Sequence, residues 1–130
     1  MNRARDWLEQ ARANLAHAEH SRDAGDYAWA CFAAHQAAEA AVKALHLHRG
    51  QIVWGHSVGS LLESLPEAAR PDPPFIQRVA VLDRFYIPTR YPDAHPAGPA
   101  AKHYTLTDAE QAIALAREVV NYCAGQGLED

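Results

Sequence analysis

The stretch Tyr27–His48 reads YAWACFAAHQAAEAAVKALHLH and decides the fold of this chain. Alanine is the strongest helix former, so the stretch is predicted to be one long helix that ends at Gly50. Its small side chains spread over nearly every face, which lets neighbouring helices approach closely. A helix that is small or apolar around its whole circumference is usually buried. We therefore expect this second helix to be the centre of a helical bundle.

Helical patterns flank the central stretch on both sides. Residues 3–23 carry one apolar stripe opposite a charged face, and Gly25 and Asp26 suit the end of this helix and the start of the next. A short helix is predicted over residues 57–65. A fourth helix is predicted over residues 73–86, because prolines are tolerated in a first helical turn and an apolar stripe follows them.

A proline-rich loop and a capped last helix complete the pattern. Residues 88–102 contain four prolines and a glycine, so an extended loop is predicted there. So long a loop in a small domain is often functional. Thr107 and Glu110 have the spacing of a capping box before an apolar periodic run. Residues 125–130 are predicted to fray. The whole chain, residues 1–130, is predicted to be one all-α domain: an up-and-down four-helix bundle with an additional short helix and a long Pro-rich loop.

Composition and charge narrow the possible functions. The net charge of −4 argues against a general nucleic-acid binder, because phosphate contacts need clustered Lys and Arg, but a local basic cleft is compatible with it.

No apolar run reaches the roughly 18 residues that cross a bilayer, and a signal peptide is absent, so we expect a cytoplasmic protein without a membrane partner. Cys31 and Cys123 are predicted to be buried free thiols. No metal site and no cofactor are expected.

Three segments, in this order, resemble the HEPN family (higher eukaryotes and prokaryotes nucleotide-binding). They are residues 35–45 (HQAAEAAVKAL), residues 55–62 (GHSVGSLL) and residues 82–93 (LDRFYIPTRYPD), of which the last is the most specific. The resemblance implies a bundle of four main helices and a short one that usually forms a homodimer. Many family members are encoded beside a minimal nucleotidyltransferase in a toxin–antitoxin-like pair, and nucleotides or RNA are their expected ligands.

The resemblance also suggests a catalytic pair. Catalytic members of the family are metal-independent ribonucleases with an arginine, four to six residues, and then a histidine at the dimer cleft. Arg90 and His95 have this spacing. Histidine can exchange a proton near neutral pH, and the arginine fork matches phosphate oxygens. However, Pro92 and Pro96 place this pair on a loop, whereas catalytic relatives carry it on a helix.

A structural role is the alternative for Arg90. The Arg-Tyr-Pro-Asp form resembles family members in which no histidine is required at this position. Arg90 could then pair with Asp83, Glu39 or Asp93 and attach the loop to the bundle through a bidentate ion pair. The sequence leaves both roles open.

A second group of candidate binding residues lies on the central helix. His35, Glu39 and Lys43 are four residues apart and share one face. The simpler interpretation is a solvated stripe in which the Glu–Lys pair contributes about 0.3 kcal/mol. The alternative is a polar seam in a groove facing Arg90. Gln36 lies beside these residues and could hydrogen-bond a base or the proline-rich loop.

Aromatic residues complete the candidate binding set. Tyr91 and Asp93 lie close to Arg90 in the sequence, and an aromatic rim for base stacking could include Tyr91 with Tyr86, Tyr104 and Trp54.

Three functions remain open from the sequence. They are a nucleotide- or partner-binding component of a pair with a nucleotidyltransferase, a metal-independent ribonuclease toxin, and a non-catalytic oligomerisation scaffold.

Overall fold

The computed structural model describes residues 2–128, and within them the chain is helical without a β-strand, which confirms the predicted all-α class. The α-helices are α1 (Ala4–Asp23), α2 (Tyr27–His48), α3 (Val58–Glu63), α4 (Pro73–Val79) and α5 (Leu106–Cys123). α2 packs most extensively against α1 and α5, and it also contacts α3 and the segments beside it. The alanine-rich helix is therefore the centre of the bundle, as its composition predicts.

Small side chains build the part of the core that α2 contributes. Its fully buried alanines are Ala30, Ala34, Ala37, Ala38, Ala41 and Ala44. Larger aliphatic side chains from the other elements surround this small-residue helix, among them Leu8 of α1, Leu62 of α3 and Ile113 of α5. Because the alanines leave little space between the helix axes, the long helices can pack closely along their length.

The fourth helix is shorter than the sequence predicts. It starts as expected, with the Asp72 carboxylate accepting a hydrogen bond from the Phe75 amide at 3.0 Å. However, α4 ends at Val79, and the chain continues as a tighter 3-10 segment, Ala80–Phe85. This segment lies against the start of α3, where a Cβ at Gly59 would come within 3.2 Å of the Ala80 Cβ. The close approach and the tighter winding bring Asp83 within reach of the α3 amides.

The proline-rich loop is folded on itself, which corrects the prediction of an extended loop. It contains two 3-10 turns, Pro92–Ala94 and Ala100–His103. The His95 Nε2 lies 2.6 Å from the Pro88 carbonyl oxygen, and the imidazole rings of His95 and His103 stack with centroids 4.2 Å apart. Side-chain to backbone hydrogen bonds therefore hold a segment in which prolines remove backbone donors.

The C-terminal end and the cysteines complete the core. Ala124–Leu128 forms a helical turn with Leu128 buried, so the predicted fraying does not apply up to that residue, and 129–130 lie outside the described residues. Cys31 and Cys123 are buried free thiols, as predicted. Burial raises the pKa of both, that of Cys31 to about 12, which makes them poor nucleophiles.

No helix within residues 2–128 is long and apolar enough to cross a membrane.

The capping box of α5 lies two residues earlier than the sequence predicts. The Thr105 hydroxyl accepts a hydrogen bond from the Asp108 amide at 3.2 Å, and the Asp108 carboxylate accepts one from the Thr105 amide at 2.9 Å. Thr107 and Glu110, the predicted pair, are exposed residues inside the helix. Both pairs have the same spacing, so the local pattern does not distinguish them.

Removal of the observed cap should therefore weaken the fold, and removal of the predicted one should not. We expect Thr105→Ala to lower the free energy of unfolding by about 1 kcal/mol, because an amide at the start of α5 loses its acceptor. Thr107→Ala is the matched control, with an expected change below about 0.5 kcal/mol. Urea unfolding followed by circular dichroism measures both, and equal losses in the two variants would contradict the observed cap.

Candidate functional site

Asp83 organises the junction between α2, α3 and the 3-10 segment. Its carboxylate accepts hydrogen bonds from the amides of Val58 at 2.7 Å and Gly59 at 3.1 Å, and from the Ser57 hydroxyl at 3.0 Å. The His35 Nε2 lies 3.2 Å from the same carboxylate. Burial alone would raise the pKa of Asp83, but the hydrogen bonds from these partners outweigh it and lower the pKa below its ordinary value.

His35 is completely buried, so the interpretation of a solvated stripe is wrong for this residue. Its Nε2 lies 2.8 Å from the His56 carbonyl oxygen as well as near Asp83, and its Nδ1 lies 3.0 Å from the Gln36 Oε1. The imidazole thus connects α2 to the residues before α3. This contact occupies the Oε1 of Gln36, the residue considered from the sequence for a hydrogen bond to a base or to the loop.

Glu39 is also buried, with 7% of its surface exposed. Its Oε1 lies 2.9 Å from the Nδ1 of His56, and its Oε2 accepts a hydrogen bond from the Lys43 ammonium at 3.3 Å. The predicted Glu–Lys pair is confirmed, but it lies in a polar seam and not on a solvated face. Two basic side chains, Lys43 and His56, therefore share one buried carboxylate. The Lys43 Nζ also lies 5.9 Å from the centre of a Trp7 ring.

Arg90 is held by aromatic rings and not by a carboxylate. Its Cζ lies 4.3 Å from the ring centroid of Phe32, 4.8 Å from that of Tyr86 and 5.2 Å from that of Tyr91. Its Nε donates to the Tyr86 carbonyl oxygen at 2.9 Å. The half-buried guanidinium makes no other hydrogen bond and no ion pair with residues 2–128.

The alternative of an ion pair between Arg90 and an internal carboxylate is not realised within residues 2–128. Asp83 is occupied by donors at the start of α3, and Glu39 is occupied by basic side chains on either side. Asp93 is exposed in the first 3-10 turn of the loop. The positive charge of Arg90 thus remains uncompensated by ion pairing within the described part of the chain.

Tyr86 connects Arg90 to a histidine that sequence reasoning did not select. The imidazole of His56 stacks on the Tyr86 ring, with centroids 4.5 Å apart and an angle of 17° between the planes. The side chain of His56 is 54% exposed. His56 lies within the family segment at residues 55–62, but the spacing there does not show its role, because its carboxylate partner is 17 positions away in the sequence.

The structure does not place His95 in this group. The contacts of its ring are with the Pro88 carbonyl, His103 and Tyr104, whereas the contacts of Arg90 are with other aromatic residues. No contact in the described structure joins the two members of the sequence-predicted catalytic pair. The catalytic role of Arg90 and His95 stays a prediction.

The proposed aromatic rim divides into separate places. Tyr86 and Tyr91 flank Arg90, but Tyr104 packs against Phe85 and His95. Trp54 is 87% exposed and lines two surface cavities, one of about 350 Å³ shared with His56 and one of about 270 Å³ shared with Lys43. Within residues 2–128, no group of three or more His, Cys, Asp or Glu side chains could hold a metal ion.

The protein is thus a small helical bundle with a polar and aromatic seam along a central alanine-rich helix. Residues 4–126 match the HEPN domain family, and the chain belongs to this family. The structural comparisons agree. TT1696 from Thermus thermophilus is 61% identical, with a TM-score of 0.93, over 96% of this chain and 98% of that chain.

Two further solved structures are similar to this chain. ST0689, an archaeal HEPN homologue, is 36% identical with a TM-score of 0.81, over 97% of this chain and 98% of that one. A HEPN domain protein from Thermotoga maritima is 30% identical with a TM-score of 0.65, over 92% of this chain and 95% of that chain. No curated protein matches the chain. The family resemblance of the three sequence segments is thereby confirmed.

Proposed function

We propose that this HEPN protein binds a nucleotide or a short RNA segment through a phosphate group at Arg90. The observation that carries the proposal is the state of the guanidinium, which is half buried, clamped between aromatic rings and unpaired by any carboxylate within residues 2–128. A guanidinium is permanently charged, and its planar fork matches two phosphate oxygens. Tyr91, 45% exposed beside it, offers a ring face on which a base can stack.

The charge of the chain favours a short ligand over a long nucleic acid. The net charge is −4, and long nucleic acids are bound through many Lys and Arg contacts to phosphates. One uncompensated arginine with adjoining aromatic rings is sufficient for one or a few nucleotides. The proposal is thus compatible with an acidic protein.

We further propose that the protein acts as a homodimer paired with a minimal nucleotidyltransferase in a toxin–antitoxin-like system, as the family resemblance suggests. Exposed apolar side chains near Arg90 support a homodimer, since Trp29 is 53% exposed and contacts Phe32, and Ile87 is 49% exposed. Light scattering after size exclusion should give the mass of a dimer. A monomer at micromolar concentration, or no complex with a nucleotidyltransferase encoded nearby, would count against this pairing.

The phosphate contact is tested by substitution of Arg90. We expect Arg90→Gln to weaken the binding of AMP or ATP at least about tenfold, because a charge-assisted hydrogen bond contributes about 1.5–3 kcal/mol. Arg90→Lys should bind with intermediate affinity, since it keeps the charge but loses the fork. Isothermal titration calorimetry measures the affinities.

Arg84 provides a matched control for the same titration. It is an exposed arginine of the neighbouring 3-10 segment, and Arg84→Gln removes the same charge without touching the aromatic clamp. Its affinity should equal that of the wild type. If the wild type binds no nucleotide, or if Arg90→Gln binds as well as Arg84→Gln, the proposal is wrong and a non-catalytic scaffold becomes the better interpretation.

A further inference from the structure

We infer that His56, held by Glu39, is a second phosphate contact of the Arg90 site and makes ligand affinity depend on pH. The inference rests on the proposed function, because it names an additional recognition residue for the same ligand. It also assigns to His56 the place that the sequence pattern gives to His95. The ligand class is a phosphate-bearing nucleotide.

The orientation of the His56 ring is the first argument. Its Nδ1 lies 2.9 Å from the Oε1 of Glu39, a carboxylate that is buried and also bound by Lys43. A hydrogen bond at one ring nitrogen determines which nitrogen carries the proton. With Nδ1–H donating to the carboxylate, Nε2 is the nitrogen left for a ligand, and it makes no hydrogen bond with residues 2–128. The buried carboxylate thus presents a half-exposed imidazole in one defined orientation.

The position of the ring is the second argument. The ring centroid of Tyr86 lies 4.5 Å from that of His56 and 4.8 Å from the Cζ of Arg90. Both basic groups therefore contact the same tyrosine, and the two distances put the His56 ring centre no more than about 9 Å from the Arg90 Cζ, a span that one nucleotide can bridge. A phosphate-bearing ligand that contacts both groups meets a permanent positive charge from the arginine and a conditional one from the histidine.

The charged groups around His56 lie on the Nδ1 side of its ring. Glu39 faces its Nδ1 directly, while Lys43 shares the same carboxylate from the next turn of α2. Tyr86 covers one face of the ring. A protonated His56 is thus compensated on its Nδ1 side, and its Nε2–H is available to donate to a phosphate oxygen.

Two further charged groups near the site, Asp83 and Arg90, bear on the charge of His56. Asp83 is taken up by His35 and by the amides of α3, and Arg90 repels an imidazolium in the absence of ligand. An anionic ligand removes that repulsion, so binding and protonation of His56 favour each other. Affinity should therefore rise as the pH falls through the range in which histidines titrate.

Calorimetric titration with AMP at about pH 6 and about pH 8 tests the inference. The ligand's own titration is common to every variant, so the ratio of wild-type to variant affinity isolates the contribution of His56. For His56→Gln, this ratio should be about tenfold at the lower pH and close to one at the higher pH. Glu39→Gln should show a smaller change in the same direction, because the ring keeps a partner but loses the compensating charge.

His95→Gln is the matched control, and it should follow the wild type at both pH values. The inference is overturned if His56→Gln keeps the full pH dependence of the wild type, or if His95→Gln loses it. Arg90-dependent binding that persists in either case would still support the proposed function. Absence of AMP binding to the wild type at both pH values would instead remove the proposed function itself. Circular dichroism confirms that each variant is folded.

Discussion

Asp83→Asn is expected to lower the free energy of unfolding by about 3 kcal/mol, the range for loss of one partner from a partly buried charged network. Both oxygens of the Asp83 carboxylate accept hydrogen bonds from backbone amides, Oδ1 from Val58 and Oδ2 from Gly59. In asparagine one of these oxygens becomes an NH2 group. Whichever it replaces, a donor then faces a donor at the start of α3, and the partner of His35 is weakened as well.

Urea unfolding measures this loss, and Asp93→Asn is the matched control. Asp93 is exposed, so the same chemical change there should alter the free energy of unfolding by less than about 0.5 kcal/mol. If the two variants are equally stable, the Asp83 hydrogen bonds contribute little to the fold. In that case the junction between α2 and α3 must be held by apolar packing and by contacts that do not involve Asp83, such as that of the His35 Nε2 with the His56 carbonyl oxygen.

The lowered pKa of Asp83 adds a pH dependence to the same prediction. A carboxyl group with a pKa that is lower in the folded than in the unfolded state stabilises the fold above its unfolded pKa. That contribution is lost as the pH falls through the lowered folded value. The wild type should therefore lose stability in acid more steeply than Asp83→Asn does. Unfolding midpoints measured from neutral to acidic pH give this difference.

Ala38→Leu is expected to destabilise the bundle by about 2–3 kcal/mol, because the extra methyl groups of leucine must enter a closely packed core. Ala38 is fully buried on α2, the helix that packs against both α1 and α5. Leucine and alanine are both good helix formers, so the loss would come from packing and not from helix propensity. Thermal or urea unfolding measures the effect.

Ala13→Leu is the control for this substitution. Ala13 lies on the exposed face of α1, where the same added methyl groups meet solvent and the expected change is below about 0.5 kcal/mol. An Ala38→Leu variant as stable as the wild type would mean that the helices around α2 can move apart at little cost. The alanine content of α2 would then reflect helix propensity and not close packing.

The helices were predictable because their signals are local. Alanine content, an apolar stripe and a glycine after the last turn lie within one segment, and α2 was predicted with its observed ends. The first residue of α5, in contrast, could not be predicted from the local sequence pattern. Thr105 and Thr107 each have an acidic residue three positions on, and only the backbone conformation at Thr105, extended with φ of −111° and ψ of 168°, distinguishes the true cap.

The candidate site was only partly predictable. Arg90 was selected from a family motif, and the polar residues of α2 were selected from their spacing. Of the two interpretations of the α2 residues, the solvated stripe is wrong for His35 and Glu39, which are buried in a polar seam. The His35–Asp83 contact joins residues 48 positions apart, and the Glu39–His56 contact joins residues 17 apart. No spacing rule reaches that far, whereas His95 matched a short spacing and lies in a different set of contacts.

The sequence by itself determined the all-α class and the central place of α2, because helix propensity and apolar periodicity act over a few residues. The HEPN family followed from the resemblance of three segments, which the family match confirms. Tertiary structure alone decided which polar groups are buried and which charge remains uncompensated. The packing of α3 and the 3-10 segment against α2 surrounds Asp83 with donors, leaves Arg90 on aromatic rings and presents His56 beside it. The surroundings of these three residues depend on contacts between segments that are distant in the sequence, and such contacts form only when the bundle folds.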